Sequence, residues 1–158
     1  MNTTNQPIVF VAGATGAIGY KLCLILKQHN YNVFGSTRSE NKANFLEAIG
    51  VQPVIVDVFN ENDLAEAVKD SDAVVSAYNP GWTNPNIHEE YLKGATSIQN
   101  AVENSGVKKL IVIGGAGTLK IDGNHIVDGP DFPKEIYPAA SAVKNYFVEN
   151  LSKNENLD

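Results

Sequence analysis

Three glycines, Gly13, Gly16 and Gly19, stand three residues apart, directly after the apolar run Ile8-Val9-Phe10-Val11 and at the opening of a segment with helical period. In that order a glycine at 13 permits a tight turn off a strand, one at 16 lets backbone approach a pyrophosphate, and one at 19 lets a helix pack close to a sheet. The free N–H groups of the first helical turn, backed by the helix dipole, then favour a bound diphosphate, and the Thr15 hydroxyl is placed to cap those amides or to donate to a phosphate oxygen. The turn Gly13-Ala14-Thr15-Gly16-Ala17-Ile18-Gly19 is therefore expected to seat the pyrophosphate of a nicotinamide dinucleotide.

About 20 residues further on, where NAD-binding domains place an acid on the ribose hydroxyls, the sequence reads Gly35-Ser36-Thr37-Arg38-Ser39. No carboxylate stands there. Arg38 is the only arginine in the chain, and a guanidinium among hydroxyls suits a 2′-phosphate through charge-assisted bonds, so NADP(H) is expected in preference to NAD(H). Asp57-Val58 follows the third apolar run and can set a carboxylate near the adenine amino group with Val58 against the ring; a turn or capping role for Asp57 is the alternative.

To bring positions 13–19, 38 and 57 to one edge, the chain must lay its strands side by side in parallel. Short β-branched runs do alternate with longer helical patterns, which argues for an α/β Rossmann fold, a doubly wound parallel sheet with helices on both faces. Strands are expected at 8–11, 32–36, 51–56, 73–76 and 110–113. Helices are expected at 17–29, 40–49, 62–68, about 88–105 and about 139–151. In the first helix Ile18, Leu22, Ile25 and Leu26 form the expected inward face. Gly50 suits a left-handed helix end, and Asn60 or Asn62 a helix cap. Residues 114–138 hold five glycines and three prolines and read as one long loop, at the carboxyl end of the sheet where such folds bind ligands.

Composition narrows the function classes. Hydrophobic residues make up 43% and charged residues 19%, the balance of one ordinary globular domain over residues 1–158. The net charge of −6 and a pI near 5.0, with no basic run, argue against a nucleic-acid partner. No stretch has the length of a membrane span, and the polar N-terminus Met1 to Pro7 lacks the pattern of a secretory leader, so a cytoplasmic protein is expected. Cys23 stands alone and reads as a buried thiol. His29, His88 and His125 share no metal-ligand spacing, and no metal site is expected. Trp82 suits stacking on a nicotinamide or substrate, or anchoring of its own loop. Asp122, His125, Asp128 and Asp131 read as solvated loop residues or as substrate contacts.

The segment Val11 to Gly19 resembles the fingerprint of atypical and extended short-chain dehydrogenase/reductases. Thr37-Arg38, Asp57-Val58, Asp72 to Ala77 and Ile111 to Gly117 resemble the NmrA-like, NAD(P)H-binding branch, with its flavin-reductase and biliverdin-reductase-like members. The resemblance implies strand order 3-2-1-4-5, an NADP(H)-type cofactor, and a nicotinamide near Ser76-Ala77-Tyr78 and the Gly114–Thr118 turn. It also implies a further strand and substrate-contacting segments beyond Asp158. Without them the sheet is expected to be open at its C-terminal edge, which makes a homodimer one expected assembly.

Active dehydrogenases of the resembled family carry a tyrosine four residues before a lysine, the lysine lowering the phenol's pKa for proton transfer. Here the residue four before Lys144 is Ala140, Tyr137 lies seven before it, and Gly115-Ala116 replaces the usual serine. The reading this leaves is an NADP(H)-dependent reductase passing hydride to a small-molecule acceptor such as a flavin or quinone, with Tyr137 and Thr118 as the hydroxyls expected to polarise it. A non-catalytic NADP(H)-binding redox sensor is the alternative, and a nucleotide-sugar epimerase or dehydratase is the reading favoured least.

Overall fold

The strand β1 (Ile8–Ala12) shows why this sequence builds a covered parallel sheet. Its alternate residues point to opposite faces. Phe10 and Ala12 join one buried cluster and Val9 and Val11 another, so a strand apolar throughout has a core on each side. A computed structural model describes residues 5–158. The absence of a leader pattern expected for Met1 to Pro7 falls largely outside the described residues.

The chain runs β1, α1 (Ala17–Gln28), β2 (Asn32–Thr37), α2 (Glu40–Glu47), β3 (Gln52–Ile55), α3 (Glu61–Val68), β4 (Ala73–Ser76), α4 (Ile87–Ser105) and β5 (Leu110–Val112), and then α5 (Tyr137–Glu149). All five strands pair in parallel in the order β3-β2-β1-β4-β5, the order expected. Helices α1 and α2 cover one face over Cys23, Leu46 and Val51. On the other, α3 and α4 supply Leu64, Val68, Ile98, Ala101 and Val102. Asn60 caps α3, its side chain accepting the Asp63 N–H, as one of the two expected caps.

Three expectations need correction. Helix α1 turns Gly19 and Cys23 inward, with Leu22 and Leu26 only partly buried, whereas Ile18 and Ile25 are exposed. Small residues on the inner face bring the helix close to the sheet, and Ile18 is left to face the site described below. Second, residues 114–138 are not one loop. Strands β6 (Lys120–Ile121) and β7 (Asn124–His125) form an antiparallel hairpin between two short 3₁₀ turns. Its turn residues Asp122 and Gly123 both have positive φ, 51° and 84°, the geometry a tight hairpin demands of an Asp-Gly pair. Third, α5 starts at Tyr137 rather than Ala139 and ends at Glu149, because Pro138 sits in the first turn, where a missing N–H costs nothing. The sheet is open beyond β5, as expected, and the last residues of the chain touch only the start of that edge. The Asp158 N–H donates to the Lys108 carbonyl and the Leu110 N–H to the Asp158 carbonyl, while Leu157 packs on the core; Ile111 and Ile113 beyond them stay exposed.

Candidate functional site

The turn between β1 and α1 is built to leave backbone donors free. Gly13 has φ +78°, and a Cβ there would sit 2.9 Å from the Ala77 carbonyl oxygen; a Cβ at Gly19 would lie 2.1 Å from the Gly13 oxygen. Only hydrogens fit at this crossing of turn, helix and β4. The Gly13 N–H donates to the Ser36 hydroxyl at 2.9 Å, which pins the turn to the end of β2. Helix α1 has no side-chain cap, and the Ala17 and Ile18 N–H groups have no protein acceptor among the described residues. The Thr15 hydroxyl is therefore not used as a cap.

Outside this turn lies a cleft of about 420 Å³, walled by the glycine turn, the end of β2, Val56 and Val58, and the segment Ala77 to Trp82. Of the residues expected on the cofactor, Gly13, Thr15, Gly16, Ala17, Ile18, Arg38, Val58, Ala77 and Tyr78 line it together. Gly19 is buried beneath it and serves the close packing foreseen for it. Asp57 does not line the cleft. Its carboxylate accepts the Phe59 N–H at 3.0 Å, which is the turn role. The Ser36 hydroxyl is engaged with Gly13, and the Thr37 hydroxyl with the backbone of Ser39. The free charge at this end comes from Arg38 and from Lys42, neither of which makes an ion pair among the described residues. Lys42 was not singled out by its sequence. It stands in the first turn of α2, four residues after Arg38, which lies just before that helix.

A second cavity of about 290 Å³ adjoins the first. Ile18, Ala77, Tyr78, Asn79 and Trp82 belong to both, and the rest of its wall comes from Ile87 and Tyr91 of α4, Ile113 to Gly117, and Phe132, Ile136, Ala139, Ala140 and Val143. Gly114 lies here rather than on the cleft. Trp82 is 71% exposed and stands at the junction, so it does not anchor its loop to the core. Tyr78 divides the two spaces. Its hydroxyl donates to the Glu90 carbonyl at 3.2 Å, its ring stacks on Tyr91, and burial, with Glu90 nearby, pushes its phenol up to about 12.

Tyr137 and Thr118 are not brought to this cavity. Tyr137 is exposed at the start of α5 with its ring edge against Phe132, and the Thr118 hydroxyl donates to the Gly115 carbonyl at 2.7 Å. Ala140, four residues before Lys144, does line it, so at the spacing where the resembled dehydrogenases carry a tyrosine this chain presents a methyl group. The Lys144 ammonium instead meets both carboxylate oxygens of Asp128, at 2.9 and 3.1 Å. Among the described residues no cluster of His, Cys, Asp and Glu is arranged to hold a metal, and no helix is long and apolar enough to cross a membrane. Cys23 is buried, and burial lifts its thiol to about 11.

Free α1 amides, a glycine turn with no room for side chains and two cations at the far end fit a dinucleotide, and the comparisons agree. The family model of NAD(P)H-binding proteins matches residues 13–158. The chain belongs to that NAD(P)H-binding family. Its membership bears out the likeness to atypical short-chain dehydrogenase/reductases. The uncharacterized protein YwnB of Bacillus subtilis is 30% identical over 134 residues, 83% of this chain and 59% of that protein. A 4-hydroxy-2-methyl-3-oxo-4-farnesyl-3,4-dihydroquinoline-1-oxide ketoreductase of Stigmatella aurantiaca is 24% identical over 149 residues, 88% of this chain and 44% of its own. The chain thus spans about half the length of these curated relatives. Among solved structures, an exported-protein candidate of Burkholderia pseudomallei superposes with a TM-score of 0.81 at 28% identity, over 97% of this chain and 69% of its own. Yeast methylglyoxal/isovaleraldehyde reductase in complex with NADPH shares the fold, with a TM-score of 0.66 at 18% identity, over 92% of this chain and 54% of its own.

Proposed function

We propose that the chain binds NADP(H) in preference to NAD(H) in the cleft and serves as a reductase of the NmrA-like kind, for a small flavin- or quinone-like acceptor held in the second cavity. The observation that supports this is the shared wall: Ile18, Ala77, Tyr78, Asn79 and Trp82 line both spaces, which sets a cofactor cleft and an acceptor cavity side by side around Tyr78. Arg38 and Lys42 supply the cations a 2′-phosphate needs. The bound nicotinamide would supply a hydride. This chain's residues have the tasks of seating the diphosphate on the α1 amides, holding the two reactants face to face and keeping water from the apolar cavity. No tyrosine-lysine pair is required for that.

The ketoreductase relative and the NADPH complex of the yeast reductase support the assignment to reductases. The lone buried thiol and NADPH chemistry suit the reducing cytoplasm. A second copy pairing along the exposed part of β5 is the assembly this reading allows. The test is NADPH oxidation followed by absorbance with a panel of quinones and flavins. Turnover that is faster with NADPH than with NADH supports the reading. The methyl of Ala140 in place of a proton-transferring tyrosine favours a second reading, a redox sensor, and tight NADPH binding without turnover on any acceptor would decide for it.

A further inference from the structure

Ile87 and Tyr91 stand one turn apart on α4, and both line the second cavity. Tyr91 is only 5% exposed. Its ring is fixed between Tyr78, stacked at 6.3 Å, and Tyr146, edge-on at 6.3 Å. The flanking phenols are committed, Tyr78 to the Glu90 carbonyl and Tyr146 to Gln99 Oε1 at 2.9 Å. The Tyr91 hydroxyl has no hydrogen-bond partner among the described residues, yet no buried side-chain nitrogen or oxygen among them is sealed off without one. It therefore keeps some access, and the space that Tyr91 lines is this cavity. Apart from Asn79 and the phenols, that cavity is lined by aliphatic and aromatic side chains and glycines, with no charged residue.

A hydrogen-bond donor held by its neighbours in an apolar pocket has one use for a ligand, to meet an oxygen on an otherwise apolar molecule. We propose that Tyr91 donates a hydrogen bond to the carbonyl oxygen of the acceptor, and that the acceptor is a flat, uncharged quinone or aromatic ketone rather than a flavin nucleotide. This rests on the reading of the second cavity as the acceptor site. A flavin nucleotide would bring a phosphate into a cavity that offers it no cation, whereas a quinone carries its polarity in two oxygens at the ring edge. In the two-electron step the quinone takes a hydride from the dihydronicotinamide, giving the hydroquinone monoanion and the oxidised nicotinamide, and the monoanion takes a proton from solvent on leaving the cavity. Tyr91 keeps its own proton throughout. Burial lifts its phenol to about 12, which suits a donor that strengthens its bond as charge gathers on the oxygen and does not release the proton.

The test compares wild type, Tyr91→Phe and, as a control whose hydroxyl is already paired, Tyr146→Phe. Probes are menadione and its oxygen-free analogue 2-methylnaphthalene, titrated onto the NADP⁺-loaded protein through quenching of Trp82, the single tryptophan, with NADPH-dependent menadione turnover measured alongside. Tyr91→Phe is expected to weaken menadione binding about three- to ten-fold and to lower kcat by a further order of magnitude or so. Binding of 2-methylnaphthalene and of NADPH should not change, and Tyr146→Phe should match wild type for menadione. Equal menadione binding by wild type and Tyr91→Phe overturns the proposal, as does the absence of menadione binding or a faster reduction of FMN than of menadione. If menadione binds and the variant weakens it while wild type shows no turnover, the Tyr91 contact stands and the reductase reading falls.

Discussion

Gly94 and Tyr78 are fitted to one another across the interface of α4 with the end of β4. A Cβ built on Gly94 would lie 2.3 Å from Tyr78 Cε1 and 2.6 Å from its Cζ. The ring that separates the two cavities thus rests directly on helix backbone, in a space only glycine leaves. Gly94→Ala illustrates a contest of magnitudes. In a helix interior alanine is favoured over glycine by about 1 kcal/mol, but overpacking a closely fitted site costs about 1–3 kcal/mol. The prediction is a net loss of stability in urea unfolding, together with weaker NADPH binding as the ring is pushed into the cleft. A variant more stable than wild type would show that the ring gives way freely.

Arg38 and Lys42 should act on one group of the cofactor. Charge-assisted hydrogen bonds contribute about 1.5–3 kcal/mol, and salt reduces the effect for exposed groups such as these. Arg38→Ala is expected to weaken NADPH binding about ten-fold at low salt and Lys42→Ala somewhat less, both leaving NADH binding within about two-fold. The check is fluorescence titration with each cofactor at two ionic strengths. An equal loss for both cofactors would place the cations on the diphosphate and remove the case for NADP(H).

Much of the site's first half was legible because it is local. The glycine turn, Arg38 and Val58 lie at strand ends, and an uninterrupted β-α alternation fixes where strand ends go. The second half was not, because segments from five parts of the chain build the second cavity. Tyr91 reads in the sequence as one more apolar residue on the buried stripe of α4, and nothing local tells that its hydroxyl is left unpaired. Thr118 and Tyr137 were singled out as hydroxyls near the nicotinamide turn, but one is spent on the Gly115 carbonyl and the other lies on the outside of α5. The hairpin at 120–125 did have a local signal, the Asp122-Gly123 pair, obscured by the surrounding glycines and prolines.

Alkaline pH should unfold the protein through its buried acids. The Cys23 thiol is raised from 9.0 to about 11, and the Tyr78 and Tyr91 phenols from 10.0 to about 12, burial being the leading cause for each. Because the folded protein keeps these groups neutral where the unfolded chain ionises, the stability they contribute is fully present below about pH 9 and is lost as pH climbs towards 11 and 12. The urea midpoint is therefore expected to stay level from pH 7 to 8.5 and to fall steeply by pH 10.5. Cys23→Ala should start lower and fall less over that range. An identical decline in the variant would assign the loss to the phenols alone.

Ala140→Tyr tests whether the missing phenol is a defect or a feature. The substitution restores the four-residue spacing to Lys144, but that lysine is held by Asp128, so the new phenol gains no cation to lower its pKa and no capacity to pass a proton at neutral pH. What it brings is bulk. Ala140 lines a cavity of about 290 Å³, and a phenol ring there takes up much of the volume meant for the acceptor. NADPH binding should be nearly unchanged, since Ala140 does not line the cleft. Quinone-dependent NADPH oxidation should fall at least ten-fold, mainly through a higher KM. A variant that instead gained activity would mean that the lysine can leave Asp128 and that the chain needs only one side chain to recover the family's acid-base pair.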